Sequence, residues 1–387
     1  MKKIATFVFF IFVSLSGQRW YLATDSAPWG RRAYHASVVF NHRIYLLGGE
    51  TERLKNDVWY SSDGINWVCA TDSAPWSPRE NFGAIVFNNA LWIVGWGRDN
   101  KYVWYSSDGI NWVCATDSAP LGRIGHTTVV FDGKMWVIGG AVEGPRNDVW
   151  YSSDGINWYC AIESAPWVGR CLHTSVVFDG KMWVIGGYRW DGGTQEERND
   201  VWYSSDGINW YCATPSAEWG HRSYHTSVVF DGKMWVIGGD SLNRKFYRDV
   251  WYSSDGINWY CATPSAEWGE RSRHTSVVFD GKMWILGGGL RRWFYNDVWY
   301  STGLGIEETQ TLTQPLSPTP TLIHLSQLSQ FFQQLRQPII LLDITGRKVA
   351  TLRPGANNIQ HLKPGIYFLL PQTAEKKHRQ QKIVLIN

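Results

Sequence analysis

At 387 residues with a hydrophobic content of 44%, the chain is long enough for one large core and one small additional domain. Charged residues make up 18% and the formal net charge is +3, too weak a basic bias to argue for nucleic acid or a membrane surface as a partner. Its 25 tryptophans and 38 glycines instead suggest an all-β repeat protein in which aromatic side chains supply much of the packed area.

The chain opens on Lys2 and Lys3, then the apolar run Ile4 to Val13, then the small residues Ser14, Ser16 and Gly17. That order is the one a signal peptidase recognises, so residues 1–17 are expected to be an export signal, with a run too short to span a membrane. Arg19-Trp20-Tyr21-Leu22-Ala23-Thr24 follows as a lone strand with no hairpin partner beside it.

A repeating unit then fills the chain as far as Tyr300. It reads R-x-x-H-T-S-V-V-F-D-G-K-M-W-V-I-G-G, a variable loop, then N-D-V-W-Y-S-S-D-G-I-N-W-Y-C-A-T-x-S-A-x-W-G. Its glycine pairs fall at Gly48-Gly49, Gly139-Gly140, Gly186-Gly187, Gly238-Gly239 and Gly287-Gly288, with Gly95-Trp96-Gly97 as a degenerate sixth. A period of this length is the mark of a propeller or solenoid. In one unit, His173 to Phe178 turns through Asp179-Gly180 into Met182 to Ile185, and Asp200 to Tyr203 turns through Asp206-Gly207 into Asn209 to Thr214. Asp-Gly between β-branched runs is a strong hairpin signal, and four antiparallel strands make a propeller blade. Residues 18–302 are therefore expected to form a six-bladed β-propeller. Its last unit stops after Asp297-Val298-Trp299-Tyr300 without an N-W-x-C-A strand, and the N-terminal segment supplies that strand alone. Closure of the ring by the N-terminal strand is the expectation.

These paired glycines, the aromatics of D-V-W-Y about a dozen residues later and the second spaced tryptophan resemble the kelch repeat over residues 18–302. The stretch S-S-D-G-I-N-W, as at Ser61 to Trp67 and Ser204 to Trp210, also resembles the Asp-box hairpin of sialidases and other propellers. That second resemblance implies a structural hairpin remote from any active site.

Cys69, Cys114, Cys160, Cys212 and Cys261 share one repeat position, where the N-terminal copy carries Leu22. On outer strands of different blades they would lie roughly 20 Å apart, beyond disulfide reach, and are expected to be buried free thiols. Cys171 stands outside the pattern, and its pairing is open.

Because the strands of a blade alternate in direction, its first and third turns share one side of the disc, and its second turn and the inter-blade link share the other. The first side is nearly constant among the copies. The second carries the variation, with Trp96, Arg98, Trp190 and Trp293 in its loops and Tyr34, Glu80, Asn81, Tyr224 and Arg273 on links nearer the axis. With Arg79, these are the candidate ligand-binding residues, since ring faces stack on sugars or flat groups while charged neighbours fix orientation. Blade two departs furthest from the repeat, with Glu80-Asn81-Phe82 and Gly95-Trp96-Gly97, and is the first choice for an off-axis site.

Arginine recurs in every unit, at Arg32, Arg79, Arg123, Arg170, Arg222 and Arg271, with histidine three residues on except at Phe82. A ring of this kind has the chemistry for a carboxylate or a metal. Equivalent copies in every blade fit an architectural role better, and five symmetric imidazoles do not converge as metal ligands do. No metal or cofactor is expected.

After Tyr300 the composition changes. Residues 303–321 are Thr/Pro-rich and read as a linker. Residues 322–387 then give short strand-like runs around Asp343-Ile344-Thr345-Gly346-Arg347, Leu362-Lys363-Pro364-Gly365-Ile366-Tyr367 and Lys382 to Leu385. They resemble the C-terminal sorting domain of the Por (type IX) secretion system, with Ser326 to Arg336 departing from its pattern. The resemblance implies a small β-sandwich-like module and passage to the cell exterior through that secretion machinery.

A secreted or surface-exposed binding or adhesion propeller that recognises a glycan or protein through its variable face is the functional expectation, because no nucleophile or acid/base pair stands apart from the repeat. The alternative is a carbohydrate-active enzyme using the same face, since kelch and Asp-box propellers include sugar oxidases, sialidases and a sialic acid mutarotase.

Overall fold

The computed structural model describes residues 18–97, 101–191 and 193–302, and beyond them five strands, Thr321–His324, Ile339–Leu342, Lys348–Leu352, Gly365–Pro371 and Gln381–Ile386. The export signal, Arg98, Asp99, Ser326 to Arg336 and most of the Thr/Pro-rich stretch lie outside the described residues. Contacts divide the chain into two units, Met1–Glu307 and Glu308–Asn387.

The first unit is an all-β, six-bladed propeller of four-stranded sheets. Five sheets take their strands in chain order, blade one being Ala36–Phe40, Arg43–Glu50, Leu54–Ser61 and Val68–Thr71. The sixth runs Thr275–Phe279, Lys282–Leu286, Val298–Ser301 and then Tyr21–Thr24, with Tyr21 opposite Tyr300 and Leu22 opposite Trp299. In the second unit the five described strands make one sheet, in which Thr321–His324 runs parallel to Gln381–Ile386.

Six apolar clusters fill the gaps between successive blades. Each draws on the second strand of two neighbours, as where Trp183 and Ile185 meet Met234 and Val236. The tryptophan of S-A-x-W-G packs edge-on against that of N-W, as in Trp167 with Trp210 and Trp219 with Trp259, both at 6.0 Å. Edge-to-face pairing suits the ring quadrupole and adds to the area buried. Leu121 replaces the first of these tryptophans at the third blade's junction and is fully buried there.

The S-S-D-G-I-N-W hairpins are held by their own polar side chains. Ser61 Oγ accepts from the Gly64 amide at 2.8 Å, and Asp63 Oδ1 accepts from the Ile65 and Asn66 amides, each at 2.8 Å. Burial pushes the Asp63 carboxyl up, but these bonds and that from the Asn66 side chain outweigh it and hold the group at about 2. The turn glycine is obligatory twice over: Gly207 has φ 78, and a Cβ there would land in the ring of Trp136 on the preceding blade.

Two sequence expectations change here. The five repeat cysteines form no disulfide among the described residues, and they are exposed, not buried. Each lies on the outermost strand of its blade, which has no outer neighbour, and there the residues on both faces are exposed, as at Val68 and Cys69. Cys171 is free and buried. Residues 188 to 197, expected as a loop, instead prolong the middle hairpin of blade four as the strands Lys181–Asp191 and Thr194–Ser204. Cross-strand pairing of Arg189 with Glu196 and the Tyr188–Trp190 ring contact at 5.7 Å stiffen it.

Candidate functional site

The links between blades meet at the axis in a single geometric device. The third residue of each R-x-x-H stretch lies in the left-handed region: Tyr34 (φ 59), Asn81 (φ 49), Gly125 (φ 65), Leu172 (φ 56), Tyr224 (φ 53) and Arg273 (φ 61). Each donates its amide to the carbonyl of its counterpart in the preceding blade: Asn81 to Tyr34, Gly125 to Asn81, Leu172 to Gly125, Tyr224 to Leu172, Arg273 to Tyr224 and Tyr34 to Arg273, at 2.7 to 3.2 Å. A closed cycle of backbone hydrogen bonds therefore frames the axial mouth on the variable face. The cycle uses main-chain atoms only, so it leaves the chemistry of the six side chains free.

Three of those side chains gather on one sector. The Tyr34 and Tyr224 rings meet edge-on at 5.6 Å, and the Arg273 guanidinium lies 5.3 Å from the first centroid and 4.7 Å from the second. Phe294 adds a further edge contact to Tyr34 at 6.3 Å. A small cavity of about 150 Å³ opens here, with Asn81 and Leu172 on its wall.

Behind Arg273 stands a chain of buried polar groups. Arg273 Nη2 pairs with Asp240 Oδ2 at 3.1 Å, which also accepts from Ser272 Oγ at 3.0 Å. The Ser223 hydroxyl lies 3.4 Å from Asp240 Oδ1 and 2.9 Å from Glu197 Oε1, and the Leu242 amide donates to Glu197 Oε2 at 2.8 Å. Burial raises the Asp240 carboxyl, against the pull of Arg273. Burial also raises Glu197 to about 7, its hydrogen bonds to Leu242 and Ser223 offsetting part of the effect and Asp240 adding to it. Glu80 is raised by burial and by Glu50. Burial pushes Tyr34 up to about 12 and raises Tyr224 as well.

Tyr34, Asn81, Tyr224 and Arg273 thus come together at the mouth. Glu80 is half-buried and acts on Tyr34 through its charge. Trp190 lies apart, on a cavity of about 450 Å³ with Arg189 and Pro145, and Trp293 is 73% exposed beside another of about 680 Å³. Trp96 is half-buried, and its amide takes the bond to the next link, Arg123 O, that the second glycine makes in other blades. Arg98 lies outside the described residues. Arg79 is withdrawn from the candidate surface: it is fully buried and donates to the Gly95 and Ser77 carbonyls, because its register is that of the blade-internal arginines.

Those arginines and the histidines serve the blades. Arg170 bonds the Gly186 carbonyl at 2.9 Å and grips Asp200 with two bonds at 2.7 and 2.8 Å, and Asp200 also accepts from Trp202 Nε1. Blades one, three, five and six repeat this with Asp57, Asp148, Asp249 and Asp297. Histidine stitches neighbours together at the innermost strands: His225 with Thr174 at 3.0 Å, His274 with Thr226 at 3.1 Å and His35 with Thr275 at 3.0 Å. Burial, reinforced by the nearby arginine, lowers His35, His126 and His225 to about 3, so these imidazoles are neutral. Among the described residues no cluster of three or more His, Cys, Asp or Glu has the arrangement to hold a metal ion.

Asp240 was not among the sequence candidates, yet its position follows a rule. The residue after each glycine pair bridges to the second residue of R-x-x-H in the same blade, as in Ala33 with Glu50 and Ser223 with Asp240. The acids at that position, Glu50 and Asp240, both act on Tyr34 through their charge. Arg244, Arg291 and Arg292 were also outside the candidate set, and they line a cavity of about 550 Å³ with Asp240 and Arg273.

Fold and site together define a β-propeller of the kind used for binding or for catalysis. The Kelch motif family matches residues 169–203, one repeat in blade four. Among solved structures, that of YjhT is similar, with 16% sequence identity and a TM-score of 0.58 over 71% of this chain and 96% of that one, a likeness of fold alone. No curated protein matches the chain. Among the described residues no helix is long and apolar enough to cross a membrane.

Proposed function

We propose that the chain is a secreted or cell-surface binding propeller that engages a glycan or protein ligand across its variable face, centred on the axial mouth. The carrying observation is the chemistry at the left-handed positions. The backbone cycle is served best by glycine or asparagine, and a larger side chain there costs about 1–2 kcal/mol. Blades two and three comply with Asn81 and Gly125, whereas blades four, five, six and one place Leu172, Tyr224, Arg273 and Tyr34 there, the last three in mutual contact. Strain accepted at four adjacent positions that share one cavity, three of them with touching polar or aromatic side chains, supports a site there. Two aromatic edges and one oriented guanidinium suit a polar ligand with a flat or sugar-like face.

The test is a glycan and protein-partner screen with the purified chain and with its Tyr34→Asn and Tyr224→Asn variants. Retention by the parent and loss by correctly folded variants is expected; a parent that binds nothing overturns the reading.

A carbohydrate-active enzyme, sialidase-like or sugar mutarotase-like, remains the second reading because Glu197 and Asp240 are raised acids joined through Ser223. The tyrosines speak against it, since burial holds both as neutral phenols rather than nucleophiles. Turnover on sialosides and free sugars, abolished by Glu197→Gln, would favour it.

The same proposal takes the N-terminal strand as the closure of the ring. It takes residues 1–17 and 322–387 as export signal and sorting module, the latter β-sandwich-like and engaging the secretion machinery. A mature exported protein that still ends at Asn387, by mass spectrometry, would favour a module that stays attached.

A further inference from the structure

We propose that the loops of blades five, six and one form a basic track for an acidic saccharide chain, one bearing a carboxylate or sulfate on successive sugar units. This rests on the binding reading above and names the ligand class.

The track is three cavities joined by shared side chains. Arg273 belongs both to the mouth and to the cavity of about 550 Å³, and Arg292 belongs both to that cavity and to the one of about 680 Å³ beyond it. Along this path stand Arg244, Arg273, Arg291, Arg292 and Arg31; Asp240 is the one acid of the middle cavity, and the outermost cavity adds Lys55, Glu52 and the paired Arg32 and Asp57, so the cations still outnumber the acids. Asp240 is already held by Arg273. Arg244, Arg291 and Arg292 are exposed and have no ion-pair partner among the described residues, and Arg273 Nε is buried without a hydrogen-bond partner there. Arg244 (φ 61) and Arg291 (φ 52) also occupy left-handed turn positions that asparagine or glycine would fill without strain. Guanidinium forks bind carboxylate and sulfate oxygens bidentately, and several spaced along a groove match several charges rather than one. Trp293, 73% exposed on the wall of the outermost cavity, supplies an apolar ring face for a sugar. The net charge of +3 favours this local match over nucleic acid, which draws on a broad basic field.

Titration calorimetry of the full chain with a heparin oligosaccharide, an oligogalacturonate, a neutral dextran and a single-stranded oligonucleotide tests the proposal. At least one of the two acidic saccharides is expected to bind, more weakly at high salt. Arg291→Gln with Arg292→Gln should weaken it about tenfold or more while leaving the unfolding midpoint unchanged, and Lys233→Ala on the opposite face should leave binding unchanged. Arg244→Gln gives a second, independent loss should the pair fold poorly. The proposal is overturned if the arginine variants bind acidic saccharides as tightly as the parent, or if the oligonucleotide binds at least as tightly as they do. A parent that binds only a neutral glycan or a protein, insensitive to these arginines, sinks the track and leaves the binding reading standing; a parent that binds no ligand of any class sinks both.

Discussion

The amide of Tyr34 donates to the carbonyl of Arg273 at 3.0 Å and completes the hydrogen-bonded cycle around the axis, joining first blade to last. Each bond in the cycle depends on a left-handed residue, so the mouth responds to backbone chemistry and to ligand chemistry in opposite ways. Gly125→Ala is expected to destabilise the propeller by about 1–2 kcal/mol, since it places a Cβ in the left-handed region. That Cβ would also meet Leu172 Cδ2 at 2.7 Å. Arg273→Asn combined with Asp240→Asn keeps the favoured conformation and removes both members of the buried pair, so it should change stability by less than about 1 kcal/mol while removing ligand binding. Denaturant unfolding beside a binding assay reads both, and equal losses of stability in the two variants would remove the argument that Arg273 is kept for its side chain.

The buried histidines predict a pH dependence with a definite sign. His35, His126 and His225 are held at about 3, and His173 and His274 well below 6.5, by burial and the nearby arginine. Between about 6.5 and 3 the unfolded chain binds these protons and the folded chain does not, so their contribution is full above 6.5 and falls as pH drops, at up to about 1.4 kcal/mol per pH unit for each histidine. Glu197 acts oppositely: raised to about 7, it favours the fold below its unfolded value of about 4.5 and loses that contribution as pH rises through 7. Stability should therefore decline steeply below pH 6.5. Thr174→Ala with His225→Phe copies the Ala36 and Phe82 that pack in one cluster at blades one and two, and should lower the slope by about one proton. Urea midpoints across pH 5 to 8 measure it.

How much of this was legible in the sequence depends on whether a feature repeats. Glycine pairs and Asp-Gly turns recur with the period, so the blades, their strands and the sorting of loops to faces could be read before any coordinate. Tyr34, Tyr224 and Arg273 were legible too, because strand direction puts every inter-blade link on one side. The periodic pattern misled where burial depends on place in the blade: an apolar-looking repeat position was read as buried, but Cys69 sits on an outermost strand whose two faces are both exposed at that end. It misled again at Arg79, which looked distinctive for its Glu80-Asn81 neighbours but sits in the buried register of Arg170. The Glu197, Ser223 and Asp240 chain was illegible because its members come from a strand of blade four and two segments of blade five, and touch only once those blades have packed together.

The arginine–aspartate grip should be the most costly polar contact to break. Arg170 is fully buried and its side chain meets Asp200 at 2.7 Å, while the Asp200 side chain is 14% exposed. Asp200→Asn leaves a buried guanidinium without its counter-charge, for an expected loss of about 3–5 kcal/mol. The pair is part of the blade, so ligand affinity per folded molecule should stay unchanged. A loss below about 1 kcal/mol would mean that the Gly186 carbonyl and water suffice for Arg170.

Thiol chemistry separates the cysteines into two classes. Cys69, Cys114, Cys160, Cys212 and Cys261 are exposed and should react with a maleimide in the native state. Cys171 is buried, its thiol pushed up to about 12 by burial, and should react only after unfolding. Mass spectrometry before and after denaturation counts the adducts, and native labelling of Cys171 would refute its placement beneath the Tyr188 carbonyl.

Closure by the N-terminal strand is testable through Trp20. Its ring is 3% exposed and packs edge-on against Trp268 at 6.1 Å, and its amide donates to Glu267 Oε2 at 3.1 Å. Leu22, on the strand Tyr21–Thr24 that follows directly, is 49% exposed. If this strand clasps the ring, Trp20→Ala should lose about 3–5 kcal/mol, as for other buried aromatic truncations, whereas Leu22→Ala should stay within about 0.5 kcal/mol. Removing residues 18–24 should go further and bare the edge of Val298–Ser301, a template for pairing with another chain. The truncated protein is then expected to associate in size-exclusion chromatography while the intact one keeps a constant elution volume. Should Trp20→Ala prove as mild as Leu22→Ala and the truncated chain stay unassociated, the backbone cycle at the axis would be sufficient to hold blades one and six together, and the strand would be an accessory to a ring already closed at Tyr34 and Arg273.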